Sequence, residues 1–436
     1  MNSKPLTYDS LKTVIQYMDP NTRILLSSRV PSIAKIEKLV PLRIKNLVIG
    51  FHNIRINETS YGYEIYQVDS TKNVPVKVSG INLLNHKLTC DVDEFGIRDY
   101  ITKAGGMLPG NTGNQEANLF GEYDREVIPT DEGRLQKLER ILETQKRYLL
   151  QCRHPNNILG SWNPNFREYE SIEDWEEKIK MMEHELLPFQ NRRNNIRPKF
   201  EIHVTKRQED SPHQVIERVN YTGDLHKAEE RIFQFMFSKR CSIQVNKLQI
   251  NLGCSIRFPS EFKIMAKNLN FSGNEPSELD LLIPILVESS FPLEKLTISK
   301  PFSNSMNHEI IEKCKFLELE GLVELPLLQG LRNRRVHLEY QPTTFLICEL
   351  FIVLIRSWIE TNKPLGTCFT FDTHQPKRNS IQVLTFVKNR ISEEVYQFGC
   401  IKIPMSNSTV LKISYRESEE SDDDDYIIEM AVVAEK

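Results

Sequence analysis

The stretch that decides the fold runs from Lys295 to Glu339 and reads KLTISKPFSNSMNHEIIEKCKFLELEGLVELPLLQGLRNRRVHLE. It holds short strand-like pairs of apolar residues, at Leu296/Ile298, Leu317/Leu319 and Val336/Leu338. Helical segments are predicted between these pairs, at 307–314 and 322–331. A strand and a helix that recur at this spacing predict a shared parallel sheet, with each helix on the outside as the crossover to the next strand.

The same pattern extends in both directions from this stretch. Two further pairs precede it, Leu248/Ile250 and Leu269/Phe271, and a helix is predicted at 279–287 before the next pair. Successive pairs are separated by 21, 27, 21 and 19 residues. One strand and one helix every 20–29 residues is the period of leucine-rich repeats, but the asparagine ladder of regular repeats is missing. We therefore predict an α/β fold of irregular leucine-rich-repeat-like strand–helix units forming a curved sheet. Downstream we predict, in order, a helix at 344–360, a strand at 367–371, a helix at 380–391, and strands near 400–404, 409–415 and 426–433.

The upstream half has a different pattern, and four segments are predicted in all. Residues 1–41 form a small module of three short helices, and residues 42–100 form a first β-rich unit with a hairpin turn near 57–60. Residues 101–200 form an insertion, made of a glycine-rich loop at 103–129, amphipathic helices at 134–152 and 171–187, and a polar linker or exposed loop at 190–199. Ser171, with Asp174 three residues on, predicts a capping box at the start of the second helix. Residues 201–436 form the repeat domain.

Composition and charge exclude several classes of function. The chain has 436 residues, 39% of them hydrophobic, and a formal net charge of −3, so no nucleic acid or membrane partner is indicated. The eight cysteines form no CxxC pair and have no zinc-type spacing with histidine, and no signal peptide is recognised. We predict an intracellular protein, cytoplasmic or nuclear, with no catalytic residues, cofactor or metal.

Several stretches together resemble a known family. They are PLTYDSLK (5–12), MDPNTR (18–23), SSRVPS (27–32), GIRDY (96–100), LPGN (108–111), NLFGE (118–122), IPT (128–130), SSFPL (289–293), SWIE (357–360), PLGTCFTF (364–371) and IPM (403–405). The chain resembles a large family expanded in nematodes and related to the F-box and F-box-associated proteins, and the resemblance covers nearly its whole length.

This resemblance implies a role in protein recruitment. In relatives with an F-box, the N-terminal helices bind the Skp adaptor of a cullin-type ubiquitin ligase, and the C-terminal domain recruits a target protein. By resemblance, residues 1–41 would be an F-box-like module and residues 201–436 an F-box-associated-like domain. The residues implied for the adaptor-binding face are Leu11, Val14, Ile15, Ile24 and Leu25.

Two hypotheses follow from the sequence. The first is a non-enzymatic protein-interaction module whose partners are a target protein and the Skp adaptor. The second is a structural or binding protein whose N-terminal helices only cap the repeat sheet, because a repeat stack needs such a cap. Separately, Ser421 precedes Asp422-Asp423-Asp424 in an acidic run, which makes it a possible phosphorylation site for an acid-directed kinase.

Overall fold

The computed structural model describes residues 7–50, 52–69, 74–80, 89–98, 120, 131–153, 171–208, 214–251, 256, 258–273, 275–300, 306–391, 395–397, 399–406, 408–417 and 425–435. The α-helices are α1 (Tyr8–Tyr17), α2 (Pro20–Arg29), α3 (Pro31–Lys38), α4 (Asp131–Arg153), α5 (Ile172–Arg193), α6 (Leu225–Phe237), α7 (Glu309–Lys313), α8 (Leu325–Gly330), α9 (Thr343–Leu346), α10 (Glu349–Glu360) and α11 (Lys377–Lys388). The strands are β1 (Leu42–Gly50), β2 (Asn53–Ile56), β3 (Thr59–Gln67), β4 (Val76–Ser79), β5 (Phe200–Arg207), β6 (Gln214–Asn220), β7 (Ile243–Asn251), β8 (Met265–Ser272), β9 (Lys295–Ile298), β10 (Leu317–Glu320), β11 (Arg335–Glu339), β12 (Cys368–Pro376), β13 (Val395–Gln397), β14 (Cys400–Pro404), β15 (Thr409–Glu417) and β16 (Asp425–Ala434).

The chain divides into two compact units. The first unit comprises Met1–Val48, Phe237–Leu252 and Ser260–Lys436, and the second comprises Ile49–Met236 and Gly253–Pro259. This division differs from the four predicted segments. The predicted helical module at 1–41 belongs to the first unit, while residues 201–236, predicted to open the repeat domain, belong to the second, because β5 pairs there with β3.

The first unit contains a mixed sheet in the order β13-β14-β15-β16-β12-β11-β10-β9-β8-β7-β1. Strands β7 to β12 are parallel neighbours, and β12, β16, β15, β14 and β13 continue the sheet in antiparallel fashion. The predicted strand pairs lie in register across the parallel part, where Leu248, Leu269, Leu296, Leu317 and Val336 are successive partners. The α/β prediction is therefore confirmed, with the strands at the predicted positions.

One face of this sheet is apolar because strand side chains alternate between the two faces. The residues that form the predicted pairs are all buried, and α10 contributes aromatic partners to the same core. The Trp358 ring meets Phe369 edge to face at 4.7 Å, and Phe351 meets Phe371 in the same way at 5.6 Å. Aromatic pairs in this geometry add stability beyond the apolar area that they bury.

The predicted helices differ from the structure in detail. The segment predicted as one helix at 344–360 is divided into α9 and α10. The segment predicted as a helix at 279–287 is not α-helical: a 3₁₀ turn at Pro276–Leu281 overlaps its start, and another, at Glu288–Ser290, follows it. Helix α11 begins at Lys377, directly after Pro376, which stands at the N-cap and cannot continue the preceding strand's hydrogen bonds. None of the described helices has the length and apolar character needed to cross a membrane.

The second unit has an antiparallel sheet in the order β2-β3-β5-β6, with β4 paired to β3. The predicted hairpin near 57–60 is confirmed, with Asn57 at φ 53° in the turn between β2 and β3. The two predicted amphipathic helices are α4 and α5, and α5 continues to Arg193, so only 194–199 of the predicted polar loop lies between helix and strand. The Ser171–Asp174 capping box that opens α5 is also confirmed.

Candidate functional site

The face of the first unit's sheet opposite the apolar core is polar. In each strand one residue stands between the two buried apolar residues and points to this other face. Strand register places these residues side by side as a single lateral row, which we call the central row. Its members are Gln249, Asn270, Thr297, Glu318, His337, Thr370, Glu429, Ser414 and Cys400.

Neighbouring side chains of the central row are joined across the strands. The Thr297 hydroxyl donates to Glu318 Oε2 over 2.7 Å, and the His337 Nδ1 and Thr370 Oγ1 atoms are 2.8 Å apart. Lys295 Nζ lies 2.7 Å from Glu318 Oε1. Thr297 and Thr370 are buried, and Glu318 and His337 are half-buried. Cross-strand contacts of this kind hold these side chains in fixed positions, so the face presents a defined pattern of donors and acceptors.

A row of basic residues flanks the central row on the side where the parallel strands begin. We call it the basic row, and it carries five cations and no carboxylate. Phe316 also belongs to it. The next residue, Leu317, is paired with Leu296 and Val336, so Phe316 stands beside Lys295 and Arg335, which precede those two residues. The members of the basic row are Lys247, Asn268, Lys295, Phe316, Arg335, Cys368, Ala431, Lys412 and Lys402.

On the other side of the central row, carboxylates predominate. Glu320 and Glu339 are direct partners on β10 and β11, and Asp372 follows on β12, where it is paired with Ile427. Arg416 ends this row on β15. The charge on the face therefore changes sign along the strand direction, from basic where the parallel strands begin to acidic where they end.

A groove of about 490 Å³ lies on this face between β9 and β15. Its lining includes charged and polar side chains from all three rows, and its apolar part comes from β16 together with Phe316 and Val336. The residues that line it and carry a charge or a hydrogen-bonding group include Arg335, His337, Thr370, Asp372, Arg416 and Glu429. A groove of this size could receive several side chains of a bound polypeptide.

One group that lines the groove, the Cys368 thiol, has a pKa shifted from its ordinary value. Burial raises the pKa of the Cys368 thiol to about 11, and the nearby Glu429 carboxylate raises it further. The thiol is therefore protonated at neutral pH, whereas a cysteine nucleophile reacts as the thiolate. In the part of the chain that the structure describes, no group of three or more His, Cys, Asp or Glu residues could hold a metal ion.

The five residues implied for adaptor binding lie on α1 and α2, but they do not share an exposed face. Ile15 and Ile24 have no exposed side-chain surface, Leu11 and Leu25 are half-buried, and only Val14 is exposed, at 45%. In this structure Ile15 and Ile24 cannot contact a partner, because both side chains belong to the core. Ser421 and the glycine-rich loop, apart from Phe120, lie outside the described residues.

A buried ionic network fixes the N-terminal helices within the first unit. Arg23 on α2 donates from Nε to Glu37 Oε1 (3.0 Å) and from its terminal nitrogens to the carbonyls of Pro41 (2.8 Å) and Val40 (2.7 Å). Arg240 also donates to Glu37 Oε1, and neither Arg23 nor Glu37 is more than 2% exposed. Burial lowers the pKa of Arg23, which the Glu37 carboxylate opposes. The geometry ties α2 and α3 to the segment that leads into β7.

The second unit contains its own buried polar cluster around Glu229 of α6. Tyr63 donates its hydroxyl hydrogen to Glu229 Oε1, His226 Nδ1 lies 3.3 Å from Oε2, and His52 Nδ1 lies 3.7 Å from the same oxygen. Burial raises the pKa of Glu229, but the hydrogen bonds from His226, His52 and Tyr63 outweigh it and lower the pKa to about 2. The cluster links α6 to β3.

Sequence reasoning missed the polar face, although the signal was present. Each predicted pair encloses one polar residue. The residue directly before the pair is basic in three of the pairs, where it is Lys247, Lys295 or Arg335. Aligning the pairs by register would have placed these residues in rows. By contrast, no local pattern connects Glu229 with Tyr63, which are 166 residues apart.

Comparison with known proteins adds one similarity. A family model described as a domain of unknown function (DUF3557) matches residues 224–375, about a third of the chain. The match spans α6 to β12 and so includes all the parallel strands from β7 to β12. No curated protein and no solved structure matches the chain.

Proposed function

We propose that this protein is a non-enzymatic protein-interaction module whose binding surface is the polar face of the first unit's sheet. The observation that carries the proposal is the groove on that face, lined by side chains that cross-strand contacts hold in place. Among the described residues of the first unit, α10 packs on Phe369 and the first residue of α11 lies over Tyr415 and Tyr426, both on the apolar side of the sheet, so these helices do not occupy the polar side. Repeat folds commonly bind proteins through such a sheet face.

On this proposal the parallel strands act as irregular leucine-rich-repeat-like units. Their spacing of 19 to 27 residues matches that class, and the in-register pairs support it. Each strand adds one polar side chain to the central row. A protein partner suits this face, because polar side chains on several neighbouring strands can make many weak contacts at once.

The N-terminal helices serve as a cap in the version that we favour. The buried Arg23–Glu37–Arg240 network supports a fixed position for α2 and α3, and the burial of Ile15 and Ile24 removes part of the face that an adaptor would use. A cap covers the apolar end that a sheet of repeats would otherwise expose.

The ubiquitin-ligase version rests on the resemblance to F-box proteins. An adaptor that docked on α1 in this structure would contact Val14 and the neighbouring Tyr17, which is 82% exposed. Purification of the tagged full-length protein from its own cells tests this version. Recovery of Skp and cullin that is lost in Val14→Asp would support it, and purification without either protein would exclude it.

Site-specific photo-crosslinking tests the main proposal. A photoreactive phenylalanine is placed at Glu320, on the polar face, or at Glu312, on α7, in the full-length protein expressed in its own cells. Both positions replace a glutamate, so the change is matched. We expect discrete crosslinked protein partners from position 320 and few from position 312. Equal or fewer crosslinks from position 320 would contradict the proposal.

A further inference from the structure

We infer that the basic row binds an acidic segment of the protein partner. This inference rests on the proposed function and adds the chemistry of the partner. The row brings Lys247, Lys295, Arg335, Lys412 and Lys402 to one line across the sheet, although the whole chain has a net charge of −3. A local line of one sign on a slightly acidic protein is a field that steers a ligand of the opposite sign.

Most of this positive charge is not neutralised within the face. Lys295 is paired with Glu318, and 38% of its side chain remains exposed. In the described part of the chain, no ion pair to a carboxylate involves Arg335, Lys402 or Lys412. Arg335 is also the most accessible of the groove-lining cations of the row, since its residue is exposed whereas Lys295 is half-buried. Its guanidinium can bind a carboxylate through two parallel hydrogen bonds.

Phe316 adds an apolar contact in the middle of the row. It lies between Lys295 and Arg335 and lines the same groove, and its ring is 5.6 Å from Lys295 Nζ. The ring also stacks on His337 of the central row at 6.5 Å between centroids. A half-buried aromatic ring beside two cations suits a peptide in which an apolar residue neighbours acidic residues.

The acidic residues on the same face favour a peptide over a nucleic acid. Glu318 and Glu429 stand two residues along their strands from the basic row, which corresponds to about 7 Å. Glu320, Glu339 and Asp372 lie two residues further. A nucleic acid carries phosphates along its whole length and would meet these carboxylates, because its diameter exceeds the width of the basic row. A peptide can place carboxylates over the basic row and neutral or basic groups over the acids.

The part of the row from Lys295, which lines the groove, to Lys402 sets the length of the segment. From Lys295 on β9 to Lys402 on β14 the sheet order counts seven strands, β9, β10, β11, β12, β16, β15 and β14, hence six gaps. At roughly 4.8 Å between strands these gaps span about 29 Å. An extended peptide rises about 3.3 Å per residue, so roughly nine residues would lie across the row. A ten-residue probe is therefore long enough.

The experiment measures peptide binding to the purified full-length protein by fluorescence anisotropy. The probes are three labelled decapeptides, in which Gly and Leu alternate with Glu, Gln or Lys, and a single-stranded oligonucleotide of the same charge as the acidic peptide. The acidic peptide should bind most tightly and lose affinity between 50 and 300 mM salt. Arg335→Gln and Lys412→Gln should each weaken it by about two- to fivefold, as expected for exposed charge pairs.

A matched double variant controls for net charge. Its counterpart is the double variant Arg335→Gln with Lys412→Gln. Lys313→Gln with Arg332→Gln removes two exposed cations, one on α7 and one paired with Glu312 of α7, and should leave the affinity unchanged. Equal affinity for the acidic and Gln peptides would overturn the inference, and so would equal losses in the two pairs of variants. Tighter binding of the oligonucleotide than of the acidic peptide would assign the row to nucleic acid. The crosslinking experiment separates these outcomes from a failure of the proposed function. If protein partners crosslink to position 320, the proposed function stands even when the inference about the basic row fails. If no partner crosslinks there, the proposed function itself is refuted.

Discussion

The buried network around Arg23 predicts that Arg23→Met releases the N-terminal helices. The substitution keeps an apolar side chain of similar length but removes the donors to Glu37 and to the carbonyls of Val40 and Pro41. The Glu37 carboxylate then remains fully buried with Arg240 as its remaining cation. Removing one partner of a buried ion pair costs about 3–5 kcal/mol, because the other charge stays out of water.

Hydrogen–deuterium exchange of residues 7–41 is the assay, because it reports local opening without requiring the whole protein to unfold in one step. A loss of about 3 kcal/mol makes the open state roughly a hundredfold more populated, since about 1.4 kcal/mol corresponds to a factor of ten. The amides of α2 and α3 should exchange faster by a factor of this order. The triple variant Arg23→Met with Glu37→Met and Arg240→Met should lose less than Arg23→Met alone, since all three buried charges of the network are then gone.

An exposed ion pair provides the control for this prediction. Lys313 pairs with Glu309 on α7 with about 60% of each side chain exposed, so Lys313→Met should change local stability by less than about 1 kcal/mol. If Arg23→Met changes the exchange of residues 7–41 by no more than Lys313→Met changes that of α7, the network does not hold the helices. The cap version of the function would then lose its main support.

Three further predictions concern the cores. The lowered pKa of Glu229 stabilises the fold fully above about pH 4.5, and this stabilisation decreases as the pH falls towards about 2. Glu229→Gln removes this contribution, so the midpoint of acid unfolding of the second unit, followed by near-ultraviolet circular dichroism, should differ from that of the unsubstituted protein. Identical midpoints would contradict this. Trp358→Ala removes a fully buried ring packed on Phe369 and should cost about 3–5 kcal/mol in urea unfolding, whereas exposed Val353→Ala should cost less than about 1 kcal/mol; equal losses would refute the packing argument. Ser171→Ala removes the N-cap of α5 and should destabilise its first turn by about 1 kcal/mol, which unchanged amide exchange there would exclude.

The strand positions of the first unit could be predicted from the sequence because they depend on local alternation. Leu317 and Leu319 are separated by one polar residue, and a strand is the backbone conformation that puts both on one face. The same reasoning found the α5 capping box, in which Ser171 and Asp174 are close in sequence. Both features need only neighbouring residues, so nothing distant could override them.

The pairing of β5 with β3 could not be predicted in this way. Phe200 and Gln67 are partners across more than a hundred residues of intervening chain, and their strands join the N-terminal part of the second unit to residues that we assigned to the repeat domain. The accessibility of the proposed adaptor residues was equally out of reach. Ile15 and Val14 are adjacent and similarly apolar, yet one is buried and the other is exposed.

The sequence by itself determined the α/β class, the spacing of the parallel strands and the apolar face of their sheet, because alternation and period are properties of the chain. Only the tertiary structure decided which polar residues stand side by side. Thr297, Glu318 and His337 become one row when their strands pair in register, and Lys295 and Arg335 become part of a second. A row of this kind is a property of hydrogen-bonded register between distant strands, and the candidate binding face exists only at that level.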